Sequence, residues 1–227
     1  MVHYCKNIAI STFDENGNLT EGKNYCLDHM PNPGKATADI FNYISTHQKI
    51  IGLNACGMIF SNMDFSNKTI IGCNFYHCTF NNVHSQNMHI KMCVFDFAVF
   101  SDCNFIKSNV NFSSFSGCKF LHTLFTSSNM IQNNFNGTKA YQSSFDDSDL
   151  FNSRLIRAKL VDTSFRNCNL KRALFYDTIR TNVSFKMSNT REALFSQKGS
   201  AIALGQTTNN DDFSNTPDAP SSTEVEV

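Results

Sequence analysis

The sequence has no tryptophan, only four prolines and ten glycines, and a charged fraction of 17% that sums to zero formal charge. Zero formal charge together with 41% hydrophobic residues argues against wholesale disorder. No apolar run approaches the roughly 20 residues that a bilayer-crossing helix needs, so no membrane span is expected. The first residues, MVHYCKNIAISTFDENG, lack the apolar core of a secretory signal. Without one, the Asn-x-Ser/Thr triplets at Asn18, Asn67, Asn111, Asn136 and Asn182 are incidental, and the nine cysteines read as reduced thiols rather than a disulfide framework. Also missing are a Cys-x-x-Cys pair, a phosphate-binding loop, an HExxH helix and a Ser/His/Asp order. No catalytic residue, cofactor site or metal site is assigned, and a non-enzyme is expected.

What the chain has in excess is phenylalanine, 22 residues of it, and a period of five. From Phe65 to Phe195 the multiples of five make 27 positions, and 24 are apolar; only Ser85, Arg180 and Thr190 break the column. Composition alone would supply about 11. Two residues before each large residue stands a second, small column that includes Cys73, Cys78, Cys93, Cys103, Ser108, Cys118, Ser128, Ser148 and Cys168. Residues two apart on an extended chain point the same way, so each unit can send one small and one large side chain inward and then turn a corner.

Units such as CNFYH (73–77), CNFIK (103–107), SDLFN (148–152) and CNLKR (168–172) resemble the pentapeptide-repeat family, whose unit is small–Asp/Asn–Leu/Phe–polar–any. The resemblance implies an all-β solenoid, a right-handed, four-sided β-helix with one coil per four units. Sorting the large column at a spacing of twenty tests this within the sequence. One series is aliphatic (Ile70, Ile90, Val110, Met130, Leu150, Leu170) and the other three are dominated by phenylalanine. A coil of three or five units would mix them. About seven coils stacked ~4.8 Å apart make a rod on the order of 33 Å long.

A solenoid buries its coils only against one another, so its ends need covers. Residues 1–52 read as an N-terminal cap: a hairpin turning near Asn16-Gly17-Asn18, then an amphipathic helix in KATADIFNYISTHQK that uses Ile40, Phe41 and Ile44. Residues 53–195 are the repeat domain, and 196–227 read as a flexible, polar and acidic tail with Ala201–Leu204 as a partial end cover.

The six cysteines of the small column read as packing, and a filled solenoid leaves no interior pocket. Function is therefore sought outside. Ile71, Met92, Phe112, Ile131 and Phe151 form a candidate protein interface on the aliphatic side. Lys119, Lys139 and Lys159 form a candidate basic stripe, and Asp102 and His122, one coil apart, a surface pair.

Some members of the family mimic DNA and act on DNA gyrase as strongly acidic rods, commonly dimeric. Here residues 60–195 hold fourteen Lys/Arg against nine Asp/Glu, which disfavours that alternative. No aromatics interleave with the basic residues, which disfavours nucleic acid as a partner. The expected function is a non-enzymatic protein-binding scaffold with an unidentified protein partner, a structural protein without a dedicated target being the other alternative; a homodimer is compatible with the rod. A hairpin-helix-repeat order resembles pentapeptide-repeat effectors of intracellular pathogens, and DDFSNTPDAPSSTEVEV is polar and acidic like a type IV translocation signal. The expected location is the bacterial cytoplasm or, by delivery without a classical signal peptide, a host cell. The terminal VEV also fits addition to a sheet edge.

Overall fold

A computed structural model describes residues 7–20 and 25–195. The chain forms a four-sided β-solenoid in which every neighbour along the axis is twenty residues away. One side is a parallel sheet of seven three-residue strands, from Ile59–Ser61 to Ile179–Thr181. The aliphatic side begins as four strands, Lys49–Ile51, Thr69–Ile71, His89–Lys91 and Asn109–Asn111, and continues as single bridges from Asn109 through Asn129, Asp149 and Asn169 to Asn189. The remaining two sides are bridge ladders, one through Asn74, Val94 and Ser114, the other through His84, Asn104 and Leu124. The ladder starts at Lys49, ahead of residue 53, because Lys49–Ile51 already pairs with Thr69–Ile71.

A corner follows each side. Its last residue takes a left-handed backbone, with φ of 55° at Asn62, 55° at His77 and 55° at Phe112. Several corners close with a four-residue turn, such as Cys78 N–H to Phe75 C=O at 3.1 Å. A left-handed L-residue costs roughly 1–2 kcal/mol. The cooperative stack of backbone bonds and rings offsets that cost.

Inside, the phenylalanines stack coil on coil. Phe80 lies on Phe100 at 4.8 Å between centroids, Phe95 on Phe115 at 4.9 Å and Phe145 on Phe165 at 4.7 Å, all nearly parallel. Across the interior, rings of different sides meet edge to face, as Phe165 and Phe175 do at 87°. Both geometries suit the aromatic quadrupole.

The small column is more than filler. Ser128 Oγ donates to Phe105 C=O at 2.9 Å and accepts from Ser108 N–H at 3.0 Å. One hydroxyl thus satisfies two buried backbone groups that the ladder leaves unpaired. The cysteines donate to the same carbonyl position, 23 residues back: Cys78 to Ala55 at 2.9 Å, Cys118 to Phe95 at 2.9 Å and Cys168 to Phe145 at 3.0 Å. Burial pushes these thiols up, to about 12 for Cys78 and Cys168, so they stay protonated donors.

At the front, β1 (Thr12–Phe13) and β2 (Leu19–Thr20) form the hairpin, with Gly17 at φ 78° in the turn. Asp14 Oδ1 accepts Asn18 N–H at 2.8 Å and Asn16 N–H at 2.9 Å, and these bonds lower its pKa. The helix α1 (Pro33–Thr46) begins before Lys35, because Asn32 caps it by accepting Lys35 N–H at 3.0 Å and Pro33 suits the first turn. Ile40 and Ile44 are fully buried, and Phe41 meets the ring of Phe60 at 5.5 Å. Lys68, in a small-column position, is buried and donates from Nζ to the C=O of His47 at 3.0 Å and of Ser45 at 3.4 Å. A cation at the carbonyl end of α1 ties the cap to the rod. Residues 196–227, including the tail and Ala201–Leu204, lie outside the described residues.

Candidate interaction surfaces

A small interior void of about 10 Å³ lies where Ser85 stands in the column between Phe65 and Phe105. That is at most the room of a single water. Among the described residues no group of three or more His, Cys, Asp or Glu is placed to hold a metal. On the outside, a regular backbone repeats each surface position every coil.

The corners carry side-chain ladders. Asn82 donates to Asn62 at 2.8 Å, Asn167 to Asp147 at 2.9 Å and Asn182 to Asp162 at 2.7 Å. Asp102 and His122 pair at 3.1 Å through Nδ1, and His122 Nε2 meets Gln142 Oε1 at 2.7 Å. Both partners present oxygens, and the imidazolium, unlike the neutral ring, can donate to both. The Gln142 and Asp102 bonds accordingly raise the His122 pKa.

The five apolar candidates fall into two columns. Ile71, Ile131 and Phe151 follow the inward residue of the aliphatic side and are half-buried. Met92 and Phe112 occupy the next corner, stacked one coil apart, 54% and 52% exposed with left-handed backbones at φ 54° and 55°. Lys91 and Asn111 interrupt the first column, so Met92 and Phe112, with Val94 beside them, make the most exposed part of the patch.

Lys119, Lys139 and Lys159 are the exposed first residues of consecutive strands on the seven-stranded side and pair in register. The third residues of those strands, Leu121, Tyr141 and Val161, form a half-buried parallel column. Lys159 Nζ lies 5.9 Å from the centre of the Tyr141 ring.

Two features escaped sequence reading. Phe97, 49% exposed, stacks on His77 at 5.3 Å, takes the edge of Tyr76 at 5.8 Å, and lies over Gly117. A glycine one coil after a corner phenylalanine is the signal that could have found it. Cys26 Sγ lies 3.0 Å from His29 Nδ1 beside a cleft of about 420 Å³, whose lining includes Asp28, Cys56, Tyr76 and His77. The contact with Cys26 raises the His29 pKa. The Cys26-x-x-His29 spacing is visible in the sequence, but nothing there places it against the first coils.

Comparison with known proteins agrees with this geometry. The family descriptions "Pentapeptide repeats (8 copies)" and "Pentapeptide repeat region" match residues 93–120 and 118–195. No curated protein matches the chain. Among solved structures, a trypsin-treated form of QnrB1, a plasmid-mediated fluoroquinolone resistance protein, is 16% identical with a TM-score of 0.53, covering 66% of this chain and 90% of its own. HetL, a pentapeptide-repeat protein involved in heterocyst differentiation regulation in the cyanobacterium Nostoc, is 10% identical with a TM-score of 0.32, covering 70% of this chain and 92% of its own. With a twenty-residue coil, stacked inward phenylalanines and both family matches, residues 93–195 are pentapeptide repeats of that family.

Proposed function

We propose that the protein is a non-enzymatic protein-binding scaffold whose partner is held at the corner bearing Met92 and Phe112, with Ile131 and Phe151 alongside. The observation that carries this reading is the pair of large apolar side chains, each more than half exposed, on left-handed backbone positions. Glycine or asparagine would fit those positions with less strain. Apolar groups presented on a rigid rod suit recognition of a complementary apolar surface. The test compares the Phe112→Ser/Phe151→Ser double variant with the parent. It keeps its thermal melt and loses the proteins captured by proximity labelling; a variant that misfolds assigns both rings to the fold instead.

The proposed setting is a translocated bacterial effector, supported by the acidic, Ser/Thr-rich segment 206–227, which lies outside the described residues. A reporter fusion still delivered without residues 206–227 removes that support. The gyrase alternative stays disfavoured by the basic repeat domain, and likeness to QnrB1 at 16% identity is one of fold. Inhibition or protection of gyrase in a supercoiling assay reverses the order.

A further inference from the structure

The seven-stranded side has the form of a receptor for one kind of peptide. Its strands place Lys119, Lys139 and Lys159 in one outward column and Leu121, Tyr141 and Val161 in another. The residue between them on each strand, Phe120, Ala140 or Leu160, is buried, so backbone floors the strip between the columns, with the Lys159 side chain leaning across it toward the Tyr141 ring. The columns stand about 6.6 Å apart, two residues along a strand, and repeat every ~4.8 Å. No ion pair engages these lysines among the described residues. On the lysine side the adjoining corner is Gly117, covered by the Phe97 ring, then Gly137, which has open space above it, then Arg157.

The complementary ligand is an extended segment with acidic residues on one side and apolar residues on the other. This chain contains one. Thr223-Glu224-Val225-Glu226-Val227 alternates carboxylates and valines, which in an extended strand point to opposite sides. Laid along the rod axis over the backbone floor, Glu224 and Glu226 face the lysines while Val225 and Val227 face Leu121, Tyr141 and Val161. Residues 196–222, at about 3.3 Å each, reach on the order of 90 Å. The lysine strands are only a few coils from Phe195, so length is no obstacle. Tethering supplies an effective concentration in the millimolar range for a short linker, enough for a weak site to fill.

We propose that residues 223–227 bind in cis along this strip, and that the strip recognises acidic–apolar alternating peptides for which the chain's own segment competes. The test uses the full chain, with carbodiimide coupling of carboxylates to amines and mass spectrometry of the linked peptides. Expected are links from Glu224 or Glu226 to Lys119, Lys139 or Lys159 at low salt, falling at least tenfold in 0.5 M NaCl. In a mixture of isotope-labelled and unlabelled protein, the links stay within one label. Val225→Ser/Val227→Ser lowers their yield severalfold, since the apolar column loses its partner. Links spread evenly to Lys107, Lys171 and Lys186 overturn the proposal, as do links between labels, an absence of links at low salt, or a yield unchanged by the valine substitutions.

Discussion

Gly117 and Gly137 offer a controlled test of how Phe97 sits on the rod. Both are corner residues at φ 67°, one coil apart. A Cβ on Gly137 would meet nothing within 4 Å, whereas one on Gly117 would stand 2.6 Å from Phe97 Cδ1 and 2.7 Å from Cε1. Gly137→Ala therefore carries only left-handed strain, roughly 1–2 kcal/mol. The reduced entropy of its unfolded chain offsets about half of that, leaving about 1 kcal/mol. Gly117→Ala carries the same and must also expel the ring. That breaks the stack on His77 and the edge contact with Tyr76, a further ~0.5–1.5 kcal/mol. Urea denaturation at unchanged m-value measures both variants, in the parent and in a Phe97→Ala background. In the parent Gly117→Ala is the more destabilising by about 1 kcal/mol; without the Phe97 ring the two glycines become equivalent. Equal losses in the parent background would falsify the placement of Phe97 over Gly117.

Ser128→Ala leaves the Phe105 carbonyl and the Ser108 amide unpaired in the core and costs about 1–3 kcal/mol by denaturation. Cys118→Ser, which keeps the donor to Phe95, stays within about 1.5 kcal/mol of the parent. Lys68→Met frees the carbonyl end of α1, and hydrogen exchange in residues 33–46 speeds up before that of the coils. Brief alkylation of native protein marks Cys26 well before Cys78, Cys118 or Cys168, read by peptide mass; uniform labelling would remove the significance of the His29 contact. His122 titrates above the ordinary ~6.5 by NMR, and Asp102→Asn lowers it. Because the folded pKa is the raised one, its contribution to stability is full below the unfolded value and fades as pH rises through the folded value.

The fold was legible because a solenoid repeats one local rule. Phe80, Phe100 and Phe120 occupy the same environment, so the period shows in the residues themselves. The aliphatic column at Ile70, Ile90 and Val110 even revealed the number of sides. What stayed hidden belongs to non-repeating contacts. Lys68 breaks the small column visibly, but only the packing of α1 shows what its ammonium meets. The same limit applies to Cys26 with His29, which depends on how a non-repetitive segment lies on the coil. Hydroxyl against thiol in the small column is a subtler case. The sequence shows that both are small, while the carbonyl 23 residues back shows why a donor is required. Period alone grouped the surface candidates, yet it did not separate half-buried Ile131 on the aliphatic side from exposed Phe112 at the next corner.

The Lys68 tether also gives the molecule a direction in time. Hairpin and helix precede the coils in the sequence, so α1, the first coil and Lys68 are all synthesised before the later coils. Each later coil then finds a finished edge to copy, twenty residues at a time. At a synthesis rate of about 5–20 residues per second, one coil leaves the ribosome every ~1–4 s. That is slow beside local chain motions. A rod covered at its first-made end thus has an architecture suited to growth coil by coil in the order of translation.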